Sequence, residues 1–203
     1  MTPPDIVGPS GSSRRRYRLL VVCTANQCRS PLGEHLWGRH LRAEGIIATM
    51  RSAGTAAVDA STATTAAIAA ASELGIDLRT HRAQRIGPWI DLADVIVTAT
   101  NAQLREVVAL DRRLWPRTFT VADLVQRGEA EPRQREIGLS VWLDQIGSTR
   151  QRIDFMGDGV HGEIFDPTGG SLRQHLDTAA QLDLLLRRLT SAAFGAEDGA
   201  GRP

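Results

Sequence analysis

The chain has no lysine: all 24 of its Lys+Arg positions are arginine. That excludes lysine Schiff-base chemistry and any phosphate loop that depends on a lysine. An excess of one charge is missing as well. The 24 cations stand against 23 Asp+Glu for a net charge of +1, so there is no concentrated cationic surface to displace counterions from a duplex, and no nucleic-acid partner is expected. There are only two cysteines, Cys23 and Cys28. They are too few for a disulfide framework or for the four ligands of a structural zinc site. No metal and no cofactor are expected, and the two thiols point to chemistry rather than scaffolding. No apolar run approaches the roughly eighteen residues of a membrane helix. The arginines at 14–16 and 18 precede only Leu19-Leu20-Val21-Val22, too short for the apolar core of a signal peptide. The expectation is a cytoplasmic monomer with no membrane insertion.

A 42% apolar and 23% charged composition over 203 residues fits one globular domain with a real core. Residues 1–16 and 191–203, rich in Pro, Gly and Ser or lacking apolar patterning, read as disordered tails around a domain at 17–190. Inside it, apolar runs alternate with helical patterns, the signature of βαβ units around a parallel sheet. The expected strands lie at 19–22, 50–52, 95–97 and 118–120. Helices are expected from Pro31 to about Glu44, from Thr62 to Leu74 with Gly75 as its stop, from Ala102 to Leu110, and from Ser171 to about Leu189. The polar stretch 127–159 reads as an insertion carrying one surface helix around Val141, Trp142 and Leu143.

The chemistry concentrates in Cys23-Thr24-Ala25-Asn26-Gln27-Cys28-Arg29-Ser30, between a strand and the helix opened by Pro31. A loop that runs into a helix N-terminus gathers backbone N–H groups that can hold a tetrahedral oxyanion. The same positive end favours the thiolate, the nucleophilic form of Cys23. Arg29 can offer a planar fork to two phosphoryl oxygens. The Cys-x5-Arg spacing alone is a weak signal among 24 arginines, and Cys23 also reads as a small buried residue at a strand end.

With its context, the segment resembles the signature of the low-molecular-weight protein tyrosine phosphatases: Val22-Cys23, Asn26, Cys28-Arg29-Ser30-Pro31. The resemblance continues through Ser52-Ala53-Gly54-Thr55, Gly75-Ile76-Asp77 with His81-Arg82-Ala83, and Asp94-Val95-Ile96-Val97, to Phe165-Asp166-Pro167. It implies an α/β fold of three layers, a four-stranded parallel sheet with helices on both faces, flavodoxin-like. It also implies a two-step phosphoryl transfer in which Cys23 is the nucleophile, Arg29 holds the phosphoryl oxygens, and Asp166 is first acid, then base. Thr24, Ala25, Asn26, Gln27, Cys28 and Ser30 would form the substrate-binding loop, with Ser30 supporting the thiolate. Ser52 and His81 would pin Asn26. Cys28 either packs under the loop or captures an oxidised Cys23 as a disulfide.

Alternatives stay open at several of these positions. Taken alone, Asp166-Pro167 reads as a turn and His81 as a surface histidine. The run Arg14-Arg15-Arg16-Tyr17-Arg18 is a solvated segment or a dock for an acidic partner. Ala25 stands where the resemblance would have glycine and Gln27 where it would have an aliphatic residue. Residues 56–59 and Thr168 offer no aromatic wall for a phosphotyrosine ring, a role that would fall to another segment, such as Trp142. The expected partner is a phosphorylated protein, carrying phosphotyrosine. Competing readings are a protein arginine phosphatase, an arsenate reductase using an external thiol, and an idle oxyanion-binding module.

Overall fold

A computed structural model describes residues 16–87, 89–156 and 162–195. Its elements, in chain order, are β1 (Tyr17–Cys23), α1 (Arg29–Ala43), β2 (Ala48–Gly54), α2 (Thr65–Glu73), α3 (Trp89–Leu92), β3 (Val95–Thr98), α4 (Asn101–Leu110), β4 (Thr118–Thr120), α5 (Val121–Ala130), α6 (Leu139–Gly147) and α7 (Leu172–Phe194), with 3-10 turns at Arg112–Arg117 and Arg152–Phe155. The four strands pair in parallel in the order β2-β1-β3-β4. This is the expected α/β architecture.

β1 is the central strand, and its side chains alternate between two buried faces. Leu19, Val21 and Cys23 join the core built with α1, α2, α5, α6 and α7. Leu20 and Val22 join Ile90, Ile96, Val107 and Leu114 on the other side. A sheet covered on both faces needs a continuous apolar run rather than an alternating one, which is what Leu19–Val22 supplies. Helix ends follow local chemistry. Thr64 caps α2 through Ala67 N at 3.1 Å, and Gly75 (φ +70°) takes the left-handed turn after it. Ser171 and Gln174 cap each other at the start of α7. Pro31 sits in the first turn of α1, where its missing N–H costs no helical bond.

Two expectations about extent are corrected. Residues 191–194 belong to α7 rather than to a tail: Phe194 is buried and packs edge-to-face on Tyr17, with centroids 5.0 Å apart. Residues 1–15 and 196–203 of the expected tails lie outside the described residues. Within 127–159, α6 is not a surface helix, because Leu139, Trp142, Leu143 and Ile146 are all buried in the main core. Trp142 donates its indole N–H to Glu131 O at 2.8 Å, and its ring lies against Gly128. It is therefore a core residue and not a wall of the site.

Arg150 secures the chain after α6. Its side chain is 1% exposed and 3.3 Å from Asp123 Oδ2. It donates to Thr118 O at 2.7 Å and lies over Trp115, Phe119 and Phe155. Burial pulls its pKa down to about 10 against the opposing pull of Asp123, so it stays charged at neutral pH.

Candidate active site

The loop Thr24–Cys28 leaves β1 at its carboxyl end, where the strand order sends one connection towards β2 and the next towards β3. Open parallel sheets place their ligand crevice at such a switch point. Among the described residues, no backbone N–H from Thr24 to Cys28 donates to a protein acceptor. Those amides, at the amino end of the fifteen-residue α1, form a donor set suited to an oxyanion. Thr24 and Ala25 are exposed, Gln27 is half-buried, and Asn26, Cys28, Arg29 and Ser30 are buried.

Asn26 takes the left-handed position of the loop, with φ +55°, and Ala25 does not. The Cβ of Ala25 therefore meets no backbone penalty, and a glycine is not required there. Asn26 is fully buried and makes three bonds. Its Oδ1 accepts from Gln84 N at 2.9 Å, its Nδ2 donates to Ser30 Oγ at 2.8 Å, and its carbonyl accepts from His81 Nε2 at 2.7 Å. Because a carbonyl can only accept, Nε2 of His81 carries the proton.

The expectation that Ser52 also pins Asn26 is corrected. The Ser52 hydroxyl donates to Glu34 Oε2 at 2.6 Å, and its carbonyl accepts from Gln84 Nε2 at 2.7 Å. Among the described residues, Ser52 is thus linked to Asn26 through Gln84. The loop backbone is anchored further where Cys23 O accepts from Thr55 N and Thr24 O from Ala56 N, both at 2.9 Å. Gly54 allows this approach: a Cβ there would sit 2.4 Å from Thr24 O and 2.9 Å from Asn26 N.

Cys23 Sγ lies 3.0 Å from Ser30 Oγ. Asn26 donates to that oxygen, and the single hydroxyl proton of Ser30 is shared between two acceptors, the sulfur and Ala53 O at 3.2 Å. Arg29, buried at 5% exposure, reaches across the crevice to Asp166 Oδ2 at 2.5 Å and to Ile164 O at 3.4 Å. Residues 137 apart in sequence thus meet at one point. The carboxylate is about half exposed, and its Oδ1 accepts from Thr168 N at 3.1 Å and Thr168 Oγ1 at 2.8 Å. Cys28, the second cysteine of the loop, is also buried. Burial first, then the neighbouring Cys23, push its thiol up to about 12, with Arg29 opposing and Asp166 adding. It is therefore a neutral thiol at physiological pH. A nucleophile, an arginine fork, a carboxyl group and a ring of amides can together perform a phosphoryl or related oxyanion transfer.

Three polar residues escaped the sequence analysis. Gln84 and Glu34 carry no motif of their own. Gln103 does, since Thr100-x-x-Gln103 is a capping box, but nothing in that pattern says where the amide nitrogen goes. It donates to Thr24 Oγ1 at 3.0 Å. A separate cavity of about 650 Å³, lined among others by Asp91, Asp94, Asp111 and Asp144, holds none of these groups. It includes Asp94, at the start of β3 and so at the opposite end of the sheet from Cys23.

A doubly covered parallel sheet that ends in a cysteine-bearing, amide-lined loop defines a class, the cysteine-dependent phosphatase fold. The chain belongs to the low molecular weight phosphotyrosine protein phosphatase family, whose model matches residues 18–133. It is 31% identical over 137 residues to a probable low molecular weight protein-tyrosine-phosphatase, EpsP, of Ralstonia solanacearum, covering 67% of this chain and 90% of that one. It is 26% identical over 171 residues to a protein-arginine-phosphatase of Bacillus subtilis, covering 84% and 93%. A solved YwlE arginine phosphatase, a cysteine-to-serine mutant with a phosphorylated active-site serine, superposes with a TM-score of 0.66 at 26% identity, covering 86% of this chain and 93% of that one. The family match ends before Asp166, so the place of that carboxylate rests on its contact with Arg29.

Proposed function

We propose that the protein hydrolyses phosphorylated protein side chains, phosphotyrosine first among them, through a cysteinyl-phosphate. The observation that carries this reading is the convergence of Cys23, Ser30, Arg29 and Asp166 around unpaired loop amides. In the first step Cys23 Sγ bonds phosphorus while the bond to the leaving oxygen breaks. Arg29 and the amides of Thr24–Cys28 hold the equatorial oxygens, and Asp166 gives its proton to the leaving oxygen. In the second step water bonds phosphorus, gives a proton to Asp166, and displaces the Cys23 thiolate, which Ser30 supports. The phosphorylated serine in the solved arginine phosphatase supports phosphate capture at this loop position. Both cysteines are free, which suits a reducing, cytoplasmic setting. The proposed working form is a monomer whose partner is the phosphorylated protein.

Cys23→Ser should abolish turnover of an aryl phosphate while still binding inorganic phosphate; undiminished activity would refute the mechanism. A protein arginine phosphatase is the second reading. Thr168 and the stretch Ala56–Asp59 carry no aromatic side chain, and the arginine phosphatase relative aligns over the larger share of the chain. Parallel assays with phosphotyrosine peptide, phosphoarginine peptide, and arsenate plus a small thiol decide between these readings. An idle binding module would turn over none of the three.

A further inference from the structure

Both oxygens of the Asp166 carboxyl group have partners, and those partners are not equivalent. Oδ2 meets Arg29, a group the phosphoryl oxygens will claim. Oδ1 accepts both the backbone N–H and the side-chain hydroxyl of Thr168, at 3.1 and 2.8 Å, and no substrate atom needs to displace them. We propose that Thr168 is a positioning residue for the acid. Its hydroxyl selects which oxygen carries the proton and favours the bond-breaking half of the cycle over the hydrolytic half. The proposal rests on Asp166 being the acid.

A protonated carboxyl has one carbonyl oxygen, the better acceptor, and one hydroxyl oxygen that donates. Two donors fixed on Oδ1 make that atom the carbonyl oxygen and leave the proton to Oδ2. Once a phosphoryl group occupies the Arg29 fork, Oδ2 is released next to the phosphoryl group. As the Sγ–P bond forms and the P–O bond to the leaving group breaks, the proton passes from Oδ2 to the leaving oxygen. The carboxyl becomes an anion and both Thr168 bonds become charge-assisted, roughly twice as strong. An interaction stronger in the transition state than in the ground state accelerates its step. The reverse holds in hydrolysis. Water's proton moves to Oδ2 as the new P–O bond forms and S–P breaks, so the Thr168 bonds weaken and this step gains nothing from them.

The test uses Thr168→Val, Thr168→Ser and Asp166→Asn in the full chain, with aryl and alkyl phosphates spanning good to poor leaving groups. Stopped-flow burst kinetics separate formation from breakdown of the cysteinyl-phosphate. Thr168→Val should lose about fivefold in kcat/KM on poor leaving groups and at most twofold on good ones, with breakdown not slowed. Thr168→Ser should restore the wild-type dependence. Equal losses across leaving groups, a slowed breakdown, or a serine variant as impaired as the valine would overturn the proposal while Asp166→Asn stays selective for poor leaving groups. If Asp166→Asn itself shows no such selectivity, the acid assignment falls, and Thr168 with it.

Discussion

Gln103 ties the cap of α4 to the first residue of the loop, and a double-mutant cycle with Thr24 measures that tie. Gln103 is 3% exposed. Its Oε1 accepts from Ala99 N at 3.0 Å and Thr100 N at 3.1 Å, which fixes the amide orientation and turns Nε2 to Thr24. In Gln103→Leu, Ala99 N keeps its bond to Val22 O at 3.1 Å, but Thr100 N loses its side-chain acceptor. Losing a cap costs about 1 kcal/mol, and a partly buried orphan N–H adds roughly another. About 2 kcal/mol in a protein of this size lowers Tm by about 4–8 °C. Thr24→Val removes only the loop end of the bond and, at an exposed position, should leave Tm within about 2 °C. If the bond positions the loop, each variant should weaken competitive inhibition by inorganic phosphate about fivefold, and the double variant no more than Gln103→Leu alone, a coupling of about 1 kcal/mol. Additive losses in the double variant would show that Gln103 acts on the cap and not on the loop.

Other expectations follow from single contacts. Gly54→Ala places a Cβ against Thr24 O and Asn26 N, both backbone, so the loop must shift; kcat/KM should fall about a hundredfold, read with the phosphate inhibition constant. The raised pKa of Cys28, about 12 against an ordinary 9, means the fold prefers the neutral thiol. Its stabilising contribution is complete below pH 9 and is lost as pH rises towards 12, so wild-type Tm should fall more steeply than that of Cys28→Ser across this range; parallel curves would count against it. Peroxide inactivation should be reversed by a thiol reductant, with loss of water as Cys28 closes a disulfide on oxidised Cys23. Cys28→Ser should recover far less. Phe194→Ala should cost about 3 kcal/mol and lower Tm by about 6–12 °C in thermal unfolding, whereas a tail residue would cost nothing.

Two strands were legible because a sheet buried on both faces must write continuous apolar runs, as Leu19–Val22 and Val95–Val97 do, whereas Thr118–Thr120 buries two threonines around Phe119. The loop was legible because its chemistry is local: cysteine, arginine and helix start lie within nine residues. Its supports were not. Gln84 holds the Asn26 side chain through its own backbone N–H and meets Ser52 at that residue's carbonyl, and a backbone group leaves no residue-type signal. Trp142 was misplaced for a related reason. The surrounding polar residues at 127–159 suggested a surface segment, but four apolar residues at helical spacing were enough to bury one face of α6.

The meeting of Arg29 with a carboxylate so far along the chain is supported by five residues that follow β3. Ala99 N donates to Val22 O at 3.1 Å and Ala99 O accepts from Ile164 N at 2.9 Å. Asn101 N donates to Glu163 Oε1 at 2.7 Å, and Gln103 holds Thr24. Residues 99–103 therefore hold the Cys23 loop on one side and the segment leading to Asp166 on the other. Since β3 pairs directly with β1, Ala99 holds the end of β1 and the segment before Asp166 side by side. The chain between those two attachments builds α6 and the Arg150 cluster into the core and returns to Ala99 before it reaches Asp166.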